Sequence, residues 1–199
     1  MTLHFTLDDA HRASDEWGCN CGPSALAAVT GRTLDEIRPL MGDFEKKRYT
    51  NPTLMFDSLN RTGAEWSKIE GIPTHGLLRI QWEGPWTEPG VPIRARYRHT
   101  HWVGIQQPDS VAISFPGKIV PSAGIFDINA MNSGGWIAFR DWAETLVPWL
   151  LEECVPRNNG RWHITHRVQV DRPSTVTRPD RVSTPSAPGA SAPAQRLPE

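Results

Sequence analysis

The sequence predicts an α+β domain over residues 1–170, on three observations. The first third of the chain carries paired helix start and stop signals, the stretch from Glu65 onward carries strand signals, and residues 171–199 carry neither. Helices followed by a series of short strands argue for helices packed on a mostly antiparallel sheet, not for alternating βαβ units. Asp171 to Glu199 is rich in Pro, Ser, Thr and Ala with few large apolar residues, so it buries too little surface to offset ordering entropy and is expected to be a disordered tail. The 199 residues thus suit one domain and an appendage, with no internal repeat.

The elements follow in order. Leu3 to Leu7 reads as a short strand or arm, and Asp8 to Glu16 as a polar approach. A helix is expected from the Cys21–Gly22–Pro23 segment, with Pro23 at its first position, Ala25, Leu26, Ala28 and Val29 forming an apolar stripe, and Gly31 as its stop. Thr33 and Glu36 fit a capping box for a second short helix with Leu34, Ile37 and Leu40 inward, ending near Met41 and Gly42. Asn51 and Pro52 open a third helix that buries Leu54, Met55 and Leu59 and closes at Gly63. Strands are expected near residues 65–69, 77–82, 93–105, 111–115, 125–128, 136–139 and 162–170, with a turn over Gln107–Ser110. Asp141 is placed to cap a helix through Leu151, which Pro148 should kink or end.

Composition narrows the function classes. A net charge of −1 gives no electrostatic footprint for nucleic acid or an anionic membrane. Arg94, Arg96 and Arg98 form the one basic cluster; in a strand they would share a face, solvated or turned to an acidic substrate segment. No apolar run is long enough to span a bilayer and the N-terminus lacks a secretory pattern, so the cytoplasm is the default compartment. Three cysteines, two of them in a C-x-C arrangement, do not make a disulfide framework. Cys154 is expected to pack at a helix end. Most of the nine tryptophans should be buried, because indole offers a large apolar area with one donor that needs a partner, and some should wall a groove.

Cys21 carries the chemistry that the pattern favours. A thiol at a helix start faces unpaired backbone N–H groups and the positive end of the helix dipole, which favour thiolate. Close packing of a small buried residue is the competing explanation. His99, His101, Val103 and Ile105 alternate onto one strand face, so either histidine is a candidate base. Asp127 and Asn129 are likewise two apart, and either can orient an imidazole. Cys19, Cys21, His99 and His101 also compose a Cys2His2 set, but the C-x-C spacing is shorter than zinc sites use, and neither metal nor cofactor is expected. No phosphate-binding or dinucleotide motif and no serine-hydrolase elbow occurs.

Three segments carry a resemblance. Cys21-Gly-Pro-Ser-Ala-Leu26 preceded by Asn20, then His101-Trp-Val-Gly-Ile105, then Ile125-Phe-Asp-Ile-Asn129, resemble in order the nucleophile, histidine and third-residue segments of papain-like cysteine peptidases. They are most similar to those of the peptidases that process bacteriocins at double-glycine leaders, and the stretch from Gly134 to Trp142 resembles the return strand and final helix of that family. The resemblance runs from Trp17 to about Trp149. It implies a papain-like fold, a triad of Cys21, His101 and Asp127 with Asn129 as the alternative to Asp127, and amide cleavage in a peptide or protein through an acyl-enzyme on Cys21. It equally admits a deamidase or acyltransferase using the same triad, or a binding module or inhibitor that keeps the groove, in a bacterial or phage setting. Where the family carries a glutamine that donates to the oxyanion, this chain has Asp15, with Asn20 a possible substitute. Loss of one such donor costs about 10²–10³ in rate.

Overall fold

The Thr6 hydroxyl accepts from the Asp9 N–H, and the Asp9 carboxylate accepts from the Thr6 N–H, so the polar stretch near the N-terminus starts a helix. In the computed structural model, which describes residues 2–108 and 118–172, this helix α1 spans Leu7–Trp17 and ends at Gly18 with φ 66°. The strand or arm expected over Leu3–Leu7 and the irregular approach over Asp8–Glu16 are therefore corrected. The capping box and the buried stripe Ala10, Ala13, Trp17, at spacings of three and four, decide the conformation over the polar composition.

Helix α2 spans Cys21–Thr30 and stops at Gly31, φ 64°, as expected. It starts two residues before Pro23, which still lies in the first turn, where a missing N–H leaves no bond unmade. The capping box of Thr33 and Glu36 starts α3 (Leu34–Ile37), a 3₁₀ turn continues over Arg38–Met41, and Gly42 closes it. A short α4 (Phe44–Lys47) follows, which no sequence signal marks. Asn51 caps α5 (Pro52–Thr62), which buries Leu54, Met55 and Leu59 and stops at Gly63 with φ 74°.

Residues expected to begin the 93–105 strand instead form a helical turn, α6 (Ile93–Arg96), because the Pro92 carbonyl collects the N–H groups of Ala95 and Arg96. Arg94, Arg96 and Arg98 consequently share no strand face, and all three are exposed. The strands are β1 (Trp66–Lys68), β2 (His75–Trp82), β3 (Thr100–Gln106), β4 (Gly124–Phe126), β5 (Trp136–Ala138) and β6 (Trp162–Val170). They form one six-stranded antiparallel sheet in the order β1-β6-β2-β3-β4-β5. The strand expected over 111–115, the second half of the Gln107–Ser110 turn and the tail beyond residue 172 lie outside the described residues.

After β5, α7 (Phe139–Asp141) begins without Asp141 as its cap and leads through a π turn, Trp142–Leu146, into α8 (Val147–Cys154). Pro148 does not end the helix. In the π turn the Val147 N–H reaches the Trp142 carbonyl five residues back, and Pro148 then occupies the first turn of α8, where its N–H is not needed. No helix among the described residues is long and apolar enough to cross a membrane.

Two apolar clusters sit on opposite faces of the sheet. On β2, β3 and β4, Leu77, Trp102 and Phe126 join Leu26, Val29, Met55 and the other helical residues, while Leu78, Ile80, Trp82, Val103, Ile105 and Ile125 join Trp142, Val147 and Leu150. All eight residues of β2 are buried as a result, as for a strand covered on both sides.

Candidate active site

The start of α2 is held against β3 by small-residue contacts. A Cβ at Gly22 would lie 2.5 Å from the Thr50 hydroxyl and 2.6 Å from its Cβ, so Thr50 can pack there only against glycine. The Trp102 indole Nε1 in turn donates to the Thr50 carbonyl at 2.8 Å. At the far end of α2, His75 Nε2 lies 2.8 Å from the Val29 carbonyl. Between these ends Gly104 lets the helix approach β3, since a Cβ there would meet Val29 Cγ1 and Phe126 Cβ at 3.0 Å. Sequence and packing thus fix where the Cys21 thiol stands.

His101, on the second residue of β3, is 8% exposed and its Nε2 lies 2.9 Å from Asp127 Oδ2. The β3–β4 register, with Gly104 opposite Phe126, brings Asp127 beside this end of β3. With Nε2 committed to Asp127, Nδ1 is the ring nitrogen left for Cys21, whose side chain acts on His101. Asp127 is fully buried and receives four donors: His101 and the Trp142 indole on Oδ2, and the Asn129 backbone and side-chain N–H groups on Oδ1, each at 2.9 Å. A buried carboxylate with every lone-pair direction answered keeps its charge.

The electrostatics follow from this arrangement. Burial works against ionising Cys21, but the hydrogen bond and charge of His101, with the Trp102 backbone N–H, hold its thiol below the ordinary value against the opposing Asp127 charge. Burial likewise opposes charge on His101; the Asp127 carboxylate, then Cys21, raise it well above the usual histidine range. Asp127 is pushed up by burial yet pulled down to about 2 by His101 and by the Trp142 and Asn129 donors. The three side chains therefore favour thiolate, imidazolium and carboxylate together.

The cleft at Cys21 encloses about 290 Å³ and takes in Asn20, Trp82, His99, Thr100 and Cys154. Asn20 precedes α2, its side chain makes no cap bond, and it lines the cleft beside Cys21. His99 does not share the strand face with His101. Its φ of 49° turns it out of β3, its ring lies 4.5 Å from Trp86, and burial with Arg98 and Arg157 lowers its pKa. Asn129 does not reach the imidazole either, because residues 128–133 coil into a 3₁₀ helix capped by Asp127, which points Asn129 back at that carboxylate.

Asp15 lies exposed on α1 and is not part of the cleft lining, so its charge is not set beside the thiol. Cys19 is half-buried near the Phe44 carbonyl, its pKa pushed up to about 11 by burial and by Cys21 and Glu45. Cys154 does not pack into the core: it is exposed at the end of α8 and lines the cleft. Among the described residues no group of three or more His, Cys, Asp or Glu is placed to hold a metal ion. Sequence reasoning missed Trp142 as a donor to Asp127 and Trp82 as the ring stacked 6.2 Å from His101. The need of every buried indole for an acceptor was the available signal.

No protein-family model matches the chain, and neither a curated protein nor a solved structure matches it.

Proposed function

We propose that this chain is a papain-like thiol hydrolase, a cysteine peptidase cleaving a peptide or isopeptide amide. The observation that carries this reading is the line Cys21, His101, Asp127, with the acid saturated by its own donors and the imidazole set between that acid and the thiol. An arrangement built only for packing has no use for a half-buried thiol, a charged imidazole and a sealed carboxylate in sequence at a cleft.

The Cys21 thiolate attacks the carbonyl carbon, and the oxyanion that forms lies toward the Cys21 N–H and the Asn20 amide. His101 passes its Nδ1 proton to the leaving amine, whose C–N bond breaks to give a thioester. Water then yields a proton to His101 and its oxygen to the carbonyl carbon, which releases the acid and restores the thiolate. Asp127 stays ionised and keeps Nε2–H pointed at itself throughout.

The test is digestion of a proteome-derived peptide library by the wild-type chain and by Cys21→Ala, read by mass spectrometry. New peptide termini with the wild type alone support a peptidase. Glutamine converted to glutamate without new termini would assign the same triad to deamidation, and no Cys21-dependent product of either kind would leave the groove as a binding surface.

A further inference from the structure

Arg79 lies in the middle of β2 at 5% exposure, opposite Trp102 on β3 and His166 on β6. Among the described residues no carboxylate pairs with it. Its Nη2 donates to the Thr100 hydroxyl at 3.1 Å, its Nε is buried without an acceptor among the described residues, and its guanidinium carbon is 5.5 Å from the Tyr97 ring. A cavity of about 290 Å³ opens here, lined by Asn51, Pro52, Arg79, Tyr97 and His166. Burying a guanidinium without a carboxylate carries a large desolvation cost, which the Tyr97 ring and the Cys21 charge offset only in part, since burial still holds Arg79 below its ordinary value.

The groups that line the cavity with Arg79 carry no negative charge of their own. The Thr165 hydroxyl donates to the Arg79 carbonyl and therefore accepts from His166 Nδ1, so a neutral His166 carries its proton there and leaves Nε2 without one. Burial, with the charges of Arg79 and Lys68, lowers His166 to about 4. Arg96 and Arg98, the sequence neighbours of Tyr97, are exposed, and neither is in an ion pair among the described residues, although Arg96 Nε donates to the Val91 carbonyl. The cavity also adjoins the Cys21 cleft: Thr100 belongs to the cleft lining, and Asn51 follows Thr50, which packs on Gly22.

We infer that this cavity receives a carboxylate of the substrate, an acidic side chain or a free C-terminus, on the Arg79 guanidinium. A carboxylate matches the fork of the guanidinium and supplies the acceptor that its Nε lacks. The inference rests on the hydrolase reading for the word substrate, but the anion site itself does not need a reactive cysteine.

The experiment follows the His166 ring resonances by NMR in the full chain carrying Cys21→Ala. The probes are N-acetylglutamic acid α-amide, N-acetylglycine and the neutral N-acetylglutamine amide. Binding of the first assigns an acidic side chain, and of the second a free C-terminus. Either acid should shift His166 and raise its pKa from about 4, with the neutral amide at least about tenfold weaker. Arg79→Gln should abolish the response; Arg79→Lys, which keeps the buried charge, should fold and bind several-fold more weakly. The inference is overturned if neither acid moves His166, if the neutral amide moves it equally, or if Arg79→Lys binds as tightly as Arg79. An inert Cys21 in the wild type, by contrast, would remove the hydrolase reading and leave the anion site standing.

Discussion

Asp127 is the residue on which the charge state of the site depends. Its folded pKa is depressed to about 2, so its stabilising contribution is present above the ordinary carboxylate pKa and is lost as the pH falls toward 2. Trp142→Phe deletes one of its donors with little change of shape and is expected to cost about 1–3 kcal/mol in urea denaturation, the price of an unanswered buried acceptor. Asp127→Asn removes the charge that raises His101, and Cys21 alkylation at pH 6 should slow at least about tenfold, one pKa unit of thiolate lost. Residue identity was legible here because the chemistry needs a thiol, an imidazole and an acid. Alternation alone left open which of two residues spaced by two would serve; the resemblance named His101 and Asp127. His99 and Asn129 leave their expected faces through a positive φ and a 3₁₀ turn, which alternation counting takes for strand.

At the scale of elements, α2 is fixed by the contact of Gly22 with Thr50. Gly22→Ala is expected to destabilise by about 1–3 kcal/mol through overpacking and to slow Cys21 alkylation as the thiol moves from His101. Adding Thr50→Gly should recover part of both losses, a coupling that separate denaturation series would reveal as non-additivity. Helices opened by a cap and closed by glycine were readable: Thr33 with Glu36, Asn51 with Gly63, and the stop at Gly31. The helix of α1 was hidden by its polar face, although Thr6 and Asp9 carry the same reciprocal bonds. Pro148 misled for a local reason, since a π turn ahead of it removes the conflict that a proline makes inside an α-helix.

For the whole molecule, the sheet separates two apolar clusters, and the site opens where β3 and the 3₁₀ turn after β4 meet the start of α2. Antiparallel pairing of sequence neighbours could be anticipated from short strands with turn signals. The insertion of β6 between β1 and β2 could not, because it depends on contacts between residues far apart in sequence, such as Trp66 with Val170. Burial holds His166 at about 4 against an ordinary value of 6.5, so the unfolded chain binds more protons between these values and stability must fall as pH is lowered through that window. His101, raised, loses its contribution as pH rises through its folded pKa, whereas Cys21, lowered, contributes above its folded pKa and loses that contribution as pH falls through it. A urea midpoint that declines as pH is lowered from about 6.5 toward 4, and falls further as Asp127 protonates, is the expected acid limb of the profile.

The measurement closest to the central claim is the pH dependence of Cys21 alkylation by iodoacetamide, located by peptide mapping, in the wild type and in His101→Ala. A thiolate–imidazolium pair requires fast reaction well below the ordinary thiol pKa of 9.0, lost when His101 is removed. An inert Cys21, or one that follows free-thiol behaviour in both proteins, would contradict it.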